Sequence, residues 1–433
     1  MSATAAILDF VAAEHRLPEQ ARADAERLLG DTLAVGAAGA ASAEAARLLE
    51  GMKGWGEGAG ARPLSGGIVP APSAAFFNGF AIHCLEWDAV HEGAVVHAMS
   101  VVTAALLAAS DRAGGSDPDE FLTALALGVD VASGLGIAAT GPMRFFRPAT
   151  AGVIGAALAL ARLEGLEREH FADVLGLAYS FAGGTMQAHV EASVALPLQI
   201  ANAARSAITA IDLAKAGMDG PYDALEGPFG YCELIEPLGL ERYAKTLGQA
   251  WRVSEVATKP FPSGRASHGA LGELAALHTD GLNLADVRAI ELAAPPLIHR
   301  LVGRPYRPDM SAAYARLCLA ILAPLMLRDG FIDPALFDGE ALHDPALVQL
   351  ARNVAVTLDD NADGNAMAPQ QLTVTCNDGT SITRTIAANL GSVDAPMSAA
   401  QVTQKRDLCR RLAGDDADPR LFDDPLAYAT DPK

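Results

Sequence analysis

Up to about residue 250 the chain alternates short polar breaks with long apolar stretches at helical spacing. PEQARADAERLLGDTLAVGAAGA (18–40), DEFLTALALGVDVASGLG (119–136) and ARSAITAIDLAKAG (204–217) repeat apolar residues three and four positions apart, which predicts helices. Gly, Pro and Asp break the segments from one another, and small side chains within them allow close helix packing. From about residue 254 the period changes. DVRAIELAAP (286–295) and NVAVTLDD (353–360) read as strands, and QQLTVTCNDGTSITRTI (370–386) reads as a hairpin turning at Asn377-Asp378-Gly379. AAQVTQKRDLCRRLAG (399–414) returns to helix. The expected fold is mainly α: a large all-helical domain from residues 1–253 and 396–433, with a smaller α+β domain, 254–395, inserted before the C-terminal helix.

Length supports two domains, since 433 residues exceed one ordinary core. Hydrophobic residues make up 51% of the chain, ample for many buried helices. The most apolar runs, 95–110 and 151–161, are shorter than the roughly 20 residues that span a bilayer. MSATAAILDFVAAEHRLPEQ lacks a basic leader and reads as a first amphipathic helix, so a cytoplasmic location and no membrane partner are expected. The formal net charge of −20 opposes binding to nucleic acid or anionic lipid, although local cations can still hold a small anion. Five scattered cysteines without CxxC spacing suggest reduced thiols.

Chemistry concentrates in HCLEWDAVHEGAVVHAMS (83–100), where three of the chain's 10 histidines stand beside carboxylates. His83, Trp87 and His91 would share a face of one helix, and His97 precedes the next apolar run. Asp88, His91 and His97, with His83, are permitted metal ligands by type, but their spacing is not that of a specific metal motif. A polar helix end is the plain structural alternative. Imidazoles beside carboxylates also make the usual composition of a proton-transfer site. In KPFPSGRASHG (259–269) two prolines and glycines force an irregular loop, from which Lys259, Arg265 and His268 offer a point charge, a planar fork and a switchable donor to a carboxylate. Arg147 opens a small-residue helix and points either at an anion or into solvent. Tyr314 sits on an otherwise apolar helix, where a packed ring is the commoner role. His189 and Glu191 can face the same cleft.

These blocks, in this order, resemble the MmgE/PrpD family. NGFAIHCLEWDAVHEGAVVHAMS (78–100) is similar to that family's N-G-x-x-x-H-x-L-D-F-D-D-T-H…H-P-S block. FRPATAGVIGAA and KPFPSGRASHGA are similar to its G-x-H-P-T-x-T-x-G-x-F-G-A-A and K-P-Y-P-x-C-R-x-x-H blocks, and SAAYARLCLAIL and NLGSVDAPMS match later ones. The resemblance implies a homodimer that acts on small di- and tricarboxylates with no metal and no organic cofactor. It implies catalytic roles for Asp88, His91, His97, His268 and Tyr314, and substrate binding by Glu86, Arg147, Lys259 and Arg265. Glu86 replaces an aspartate, Ala89-Val90 an Asp-Thr pair and Arg147 a histidine. Leu196-Pro197-Leu198-Gln199 stands where the family has Lys-x-Leu-His. The expected reaction is that of a dehydratase-like lyase abstracting a proton α to a carboxylate. Epimerisation in the same pocket and non-catalytic binding of a carboxylate metabolite are the alternatives.

Overall fold

The computed structural model describes residues 2–56, 60–338 and 340–433. The helices that matter for the site are α1 Glu19–Ala40, α2 Ala71–His83, α3 Ala98–Ala113, α4 Pro118–Ala138, α5 Arg147–Leu163, α6 Ala195–Lys215, α7 His268–Thr279, α8 Leu319–Asp329 and α9 Ala399–Ala413. Their ends follow from local chemistry. The Asp117 carboxylate accepts the backbone N–H groups of Asp119 and Glu120, both at 3.0 Å, and so opens α4. Gly114, at φ 81°, closes α3 in the left-handed conformation. Ser398 and Gln401 form a reciprocal capping box at the start of α9.

The α4–α5 crossing shows why small residues recur. A Cβ on Gly155 would lie 2.4 Å from the Gly128 carbonyl oxygen, so glycine on both helices lets the backbones approach. Among the described residues α4 is long and apolar enough to cross a membrane, although 95–110 and 151–161 stand out as the most apolar runs in the sequence. In the fold its apolar surface is covered by protein instead: Phe121 to Gly136 are all buried.

The strands appear where their alternation predicted. β1 Val287–Ala294, β2 Val354–Leu358, β3 Gln370–Cys376 and β4 Ser381–Ile386 form one sheet in the order β2-β1-β3-β4. β1 pairs parallel with β2, with Ile290 opposite Val354, and antiparallel with β3. β3 and β4 form the predicted hairpin, turning with Gly379 at φ 89°. The chain is thus mainly α with a small α+β part.

Buried apolar residues fall into two clusters. One joins the helices of the first half to Leu408, Cys409, Leu421 and Phe422 near the chain end; the other gathers α7, α8 and the sheet. The candidate site lies where the two meet.

Candidate active site

α2 ends at His83, and residues 84–97 then cross to α3 as an irregular loop. Two non-glycine residues in this loop, Glu86 and Val95, adopt left-handed backbone conformations at φ 54°. That geometry is unfavourable for a β-branched valine and persists only where the surroundings dictate it. The surroundings are specific. The loop's Val90 bridges to Ala257, just ahead of Lys259. Buried Trp87 donates its indole N–H to the Pro260 carbonyl at 3.2 Å. From α9, Lys405 donates to the Trp87 carbonyl at 3.1 Å and pairs with Asp31 on α1 at 2.6 Å. The loop is held from two separate parts of the chain, residues 257–260 and α9, the latter anchored in turn on α1.

Its centre is Asp88, which is wholly buried. The carboxylate accepts the Nδ1–H of His83, 3.0 Å from each oxygen, the Nδ1–H of His97 at 2.9 Å, and the hydroxyl of Ser100. The two imidazole centroids are 4.7 Å apart. Behind them Lys259 donates to the Glu86 carbonyl at 2.9 Å and to its carboxylate at 3.3 Å, and lies 4.0 Å from Asp88. Burial opposes every charge here, so pairing decides the outcome. For Asp88 the two histidines outweigh desolvation and hold the carboxyl well below its usual range. For Glu86, Lys259 and the histidines do the same, to about 2. His83 gains enough from Asp88 and Glu86 to overcome burial and rise. His97 is lowered: burial, with Lys259 and His83, prevails over Asp88. One imidazole drawn toward its charged form and one held toward its neutral form therefore share a single carboxylate.

A cavity of about 60 Å³ opens in front of this cluster. His83, Glu86, His97, Glu92, Arg265 and His189 face it, and Asp88 and Lys259 stand behind them. Arg265 donates to Glu92 at 2.8 Å and to the Leu390 and Asn389 carbonyls, while Asn389 donates to Glu92 at 2.7 Å. His268 lies behind Arg265, 3.4 Å from its guanidinium and 3.2 Å from the Ser263 hydroxyl. Burial and the Arg265 charge push its pKa far down. A larger concavity of about 1060 Å³ lies elsewhere, but no histidine lines it among the described residues. Its Arg62 and Asp111 pair with one another at 2.7 Å.

Three residues expected in the site point away from it. His91 Nε2 meets Glu255 at 2.8 Å, and its Nδ1 accepts the Ala94 N–H, so this ring closes a turn. Arg147 is buried in a fork on Glu236, with contacts of 2.6 to 3.0 Å. Tyr314 donates its hydroxyl to the Pro305 carbonyl at 2.7 Å; Leu317, three residues on, is the side chain facing the cavity. Glu191 bonds with exposed Gln187. Conversely, Glu92 was not singled out by sequence, although it sits in the same polar window. His189, noted there only for a shared cleft, is buried, and burial with Arg304 lowers it to about 4. Leu196 lines the cavity, whereas Gln199 turns to the Thr185 carbonyl at 3.2 Å.

The Arg147–Glu236 pair has a consequence for stability. Glu236→Ala strands a buried guanidinium and is expected to cost about 3–5 kcal/mol. Urea denaturation measures it, and turnover per folded molecule is expected to hold.

His83, Asp88 and His97 each place one donor atom within 4.8 Å of the others, as a metal site would. Both histidines direct Nδ1 at Asp88, so those atoms are already joined by hydrogen bonds. A cation there would have to displace both protons beside the Lys259 ammonium, a poor fit.

A mainly helical chain with a four-stranded α+β part and a buried carboxylate–imidazole loop defines the class, and comparison with known proteins agrees. The MmgE/PrpD N-terminal domain matches residues 7–237 and the MmgE/PrpD C-terminal domain matches residues 261–421. The chain belongs to the MmgE/PrpD family. It is similar to the cis-aconitate decarboxylase of Homo sapiens, 27% identical over 360 residues, covering 78% of this chain and 72% of that protein. The Mus musculus cis-aconitate decarboxylase is 27% identical over 357 residues, 78% and 71% of the two chains. That of Aspergillus terreus (strain NIH 2624 / FGSC A1156) is 26% identical over 370 residues, 79% and 74%. The protein is an enzyme of the MmgE/PrpD type.

Proposed function

We propose that the protein is a dehydratase-like lyase that removes a proton α to a carboxylate of a small organic acid, of the di- or tricarboxylate kind implied by its family. The observation carrying this reading is the single Asp88 carboxylate beneath two imidazoles of opposite protonation tendency. Asp88 takes the Nδ1–H of His97, which leaves Nε2 as the basic nitrogen. Neutral His97 takes the Cα proton, and electron density moves into an enolate-like carboxylate. The Cβ–O bond then breaks, and protonated His83 supplies its Nε2 proton so that the oxygen leaves as water. Among the described residues buried His83 Nε2 has no hydrogen-bond partner and only the Glu86 carboxylate 3.6 Å away, which suits a donor to substrate. Ring centroids 4.7 Å apart leave no room for a substrate between the two imidazoles. The geometry therefore favours elimination from one side over epimerisation, which needs groups on opposite faces.

Incubation with hydroxy- and unsaturated acids in D₂O tests the reading. Deuterium entering at Cα, together with water loss, is expected; acids that stabilise the protein without exchange or turnover would overturn it. The pH profile follows from the two shifts. Activity needs His97 neutral and His83 charged. It is expected to rise through an apparent pKa below the ordinary imidazole value of 6.5 and to fall through one above it. In His83→Gln the falling limb is expected to disappear from kcat/KM.

A further inference from the structure

We infer that the substrate's second carboxylate is held outside the catalytic chamber, in an adjoining cavity, by Arg316. The inference rests on the lyase reading for which end of the substrate reacts, and on the cavity walls for the rest. Size comes first. At roughly 30 Å³ of liquid per water, the chamber of about 60 Å³ has room for two waters. A di- or tricarboxylate is several times larger and must extend beyond it. His83, Glu86, Leu196 and Leu317 line both the chamber and a second cavity of about 290 Å³, so the two meet beside the imidazole assigned as the acid. A substrate reacting at His83 and His97 therefore reaches into the second cavity.

That cavity offers a cation without a counter-charge. Arg316 lines it and is buried. Its Nη1 donates to the Cys84 carbonyl at 3.0 Å, and its own carbonyl accepts the Gly264 N–H at 2.9 Å. These bonds fix it between the turn after His83 and the loop carrying Arg265. The guanidinium lies 5.3 Å over the Phe337 ring. Its Nε is buried without a hydrogen-bond partner, and among the described residues no carboxylate pairs with Arg316. A guanidinium buried in that state is unfavourable, and an incoming carboxylate corrects it.

The other charges on these walls are already matched. Glu44 and Arg47 pair at 3.6 Å, with Arg47 largely exposed, and Lys259 holds Glu86. Ser193 and Ser311 add donors. Each hydroxyl accepts a backbone N–H at 3.2 Å, from Ala195 and Tyr314, and keeps its own proton to give. Leu196 and Leu317 flank the passage between the two ends, where the carbon chain of the substrate lies.

The test uses the intact protein and two matched pairs of acids, in which a methyl replaces the far carboxylate: 3-hydroxyglutarate with 3-hydroxypentanoate, and 3-hydroxyadipate with 3-hydroxyhexanoate. Binding is read by calorimetry and chemistry by deuterium exchange. In at least one pair the diacid is expected to bind about 10–100-fold more tightly than its partner. Arg316→Gln is expected to abolish that preference, weakening the diacid and leaving the monoacid within about twofold, while Arg316→Lys restores part of it. Monoacids binding as tightly as diacids in both pairs overturn the inference, whether or not the variants fold. So does a cooperatively melting Arg316→Gln protein that keeps the preference. Exchange with none of the acids would sink the lyase reading instead, and the binding preference would still decide the role of Arg316.

Discussion

Replacing His97 with glutamine is expected to lower turnover about 10²–10⁴-fold while leaving the fold intact. Glutamine keeps an N–H to offer Asp88 but has no basic nitrogen to receive a proton. His97 is only slightly exposed and its ring makes one hydrogen bond, to Asp88, so little packing is lost. KM is expected to change far less than kcat, since the ring acts on the proton in flight rather than on the bound carboxylate. Deuterium exchange at Cα should fall in step with turnover. Full exchange in this variant would move the base elsewhere, with His189 the next neutral imidazole on the cavity wall.

Asp88→Asn is expected to be as damaging, about 10⁴-fold, by a different route. The carboxylate accepts from two imidazoles and a serine hydroxyl at once. An amide has one accepting oxygen, and its NH₂ must donate. One histidine is then forced to present a lone pair inward and its N–H outward, the wrong tautomer for its part. His83 also loses the Asp88 charge and hydrogen bond, leaving Glu86 alone to oppose burial, so its pKa falls. The pH profile separates this from simple misfolding: the limb above 6.5 should move downward in a protein that still melts cooperatively. The sign for stability follows from the same shift. A raised His83 pKa contributes stability that is fully present below 6.5 and fades as pH climbs through the folded value. Asp88→Asn weakens that dependence, since only Glu86 then still raises the pKa.

The mainly helical fold and the sheet were legible because both signals are local. Helical spacing marked α1, α4 and α6, and alternation with Asn377-Asp378-Gly379 marked the hairpin. The polar window 83–100 was legible as chemistry for the same reason: its histidines lie within one loop. Partners distant in sequence were not. Nothing near Arg147 announces Glu236, and nothing near His91 announces Glu255, yet these carboxylates take both residues out of the cavity. Tyr314 misled through geometry. Its helical turn is only Ala312–Ala315 long, and past it the backbone swings Leu317 inward. Glu92 was hidden because its meaning depends on Arg265 and Asn389, which lie 173 and 297 positions away.

The Lys405 bond to the Trp87 carbonyl has a bearing on when the enzyme becomes an enzyme. It ties residues 318 apart, and the tied carbonyl lies between Glu86 and Asp88. Contacts of such separation form late, after the local helices have closed. A nascent chain emerging from the ribosome can therefore bury most of its first core while the loop bearing His97 still lacks its anchor on α9. On the proposed mechanism, proton abstraction waits for this strap, so a half-made molecule would not present a mispositioned base to substrate.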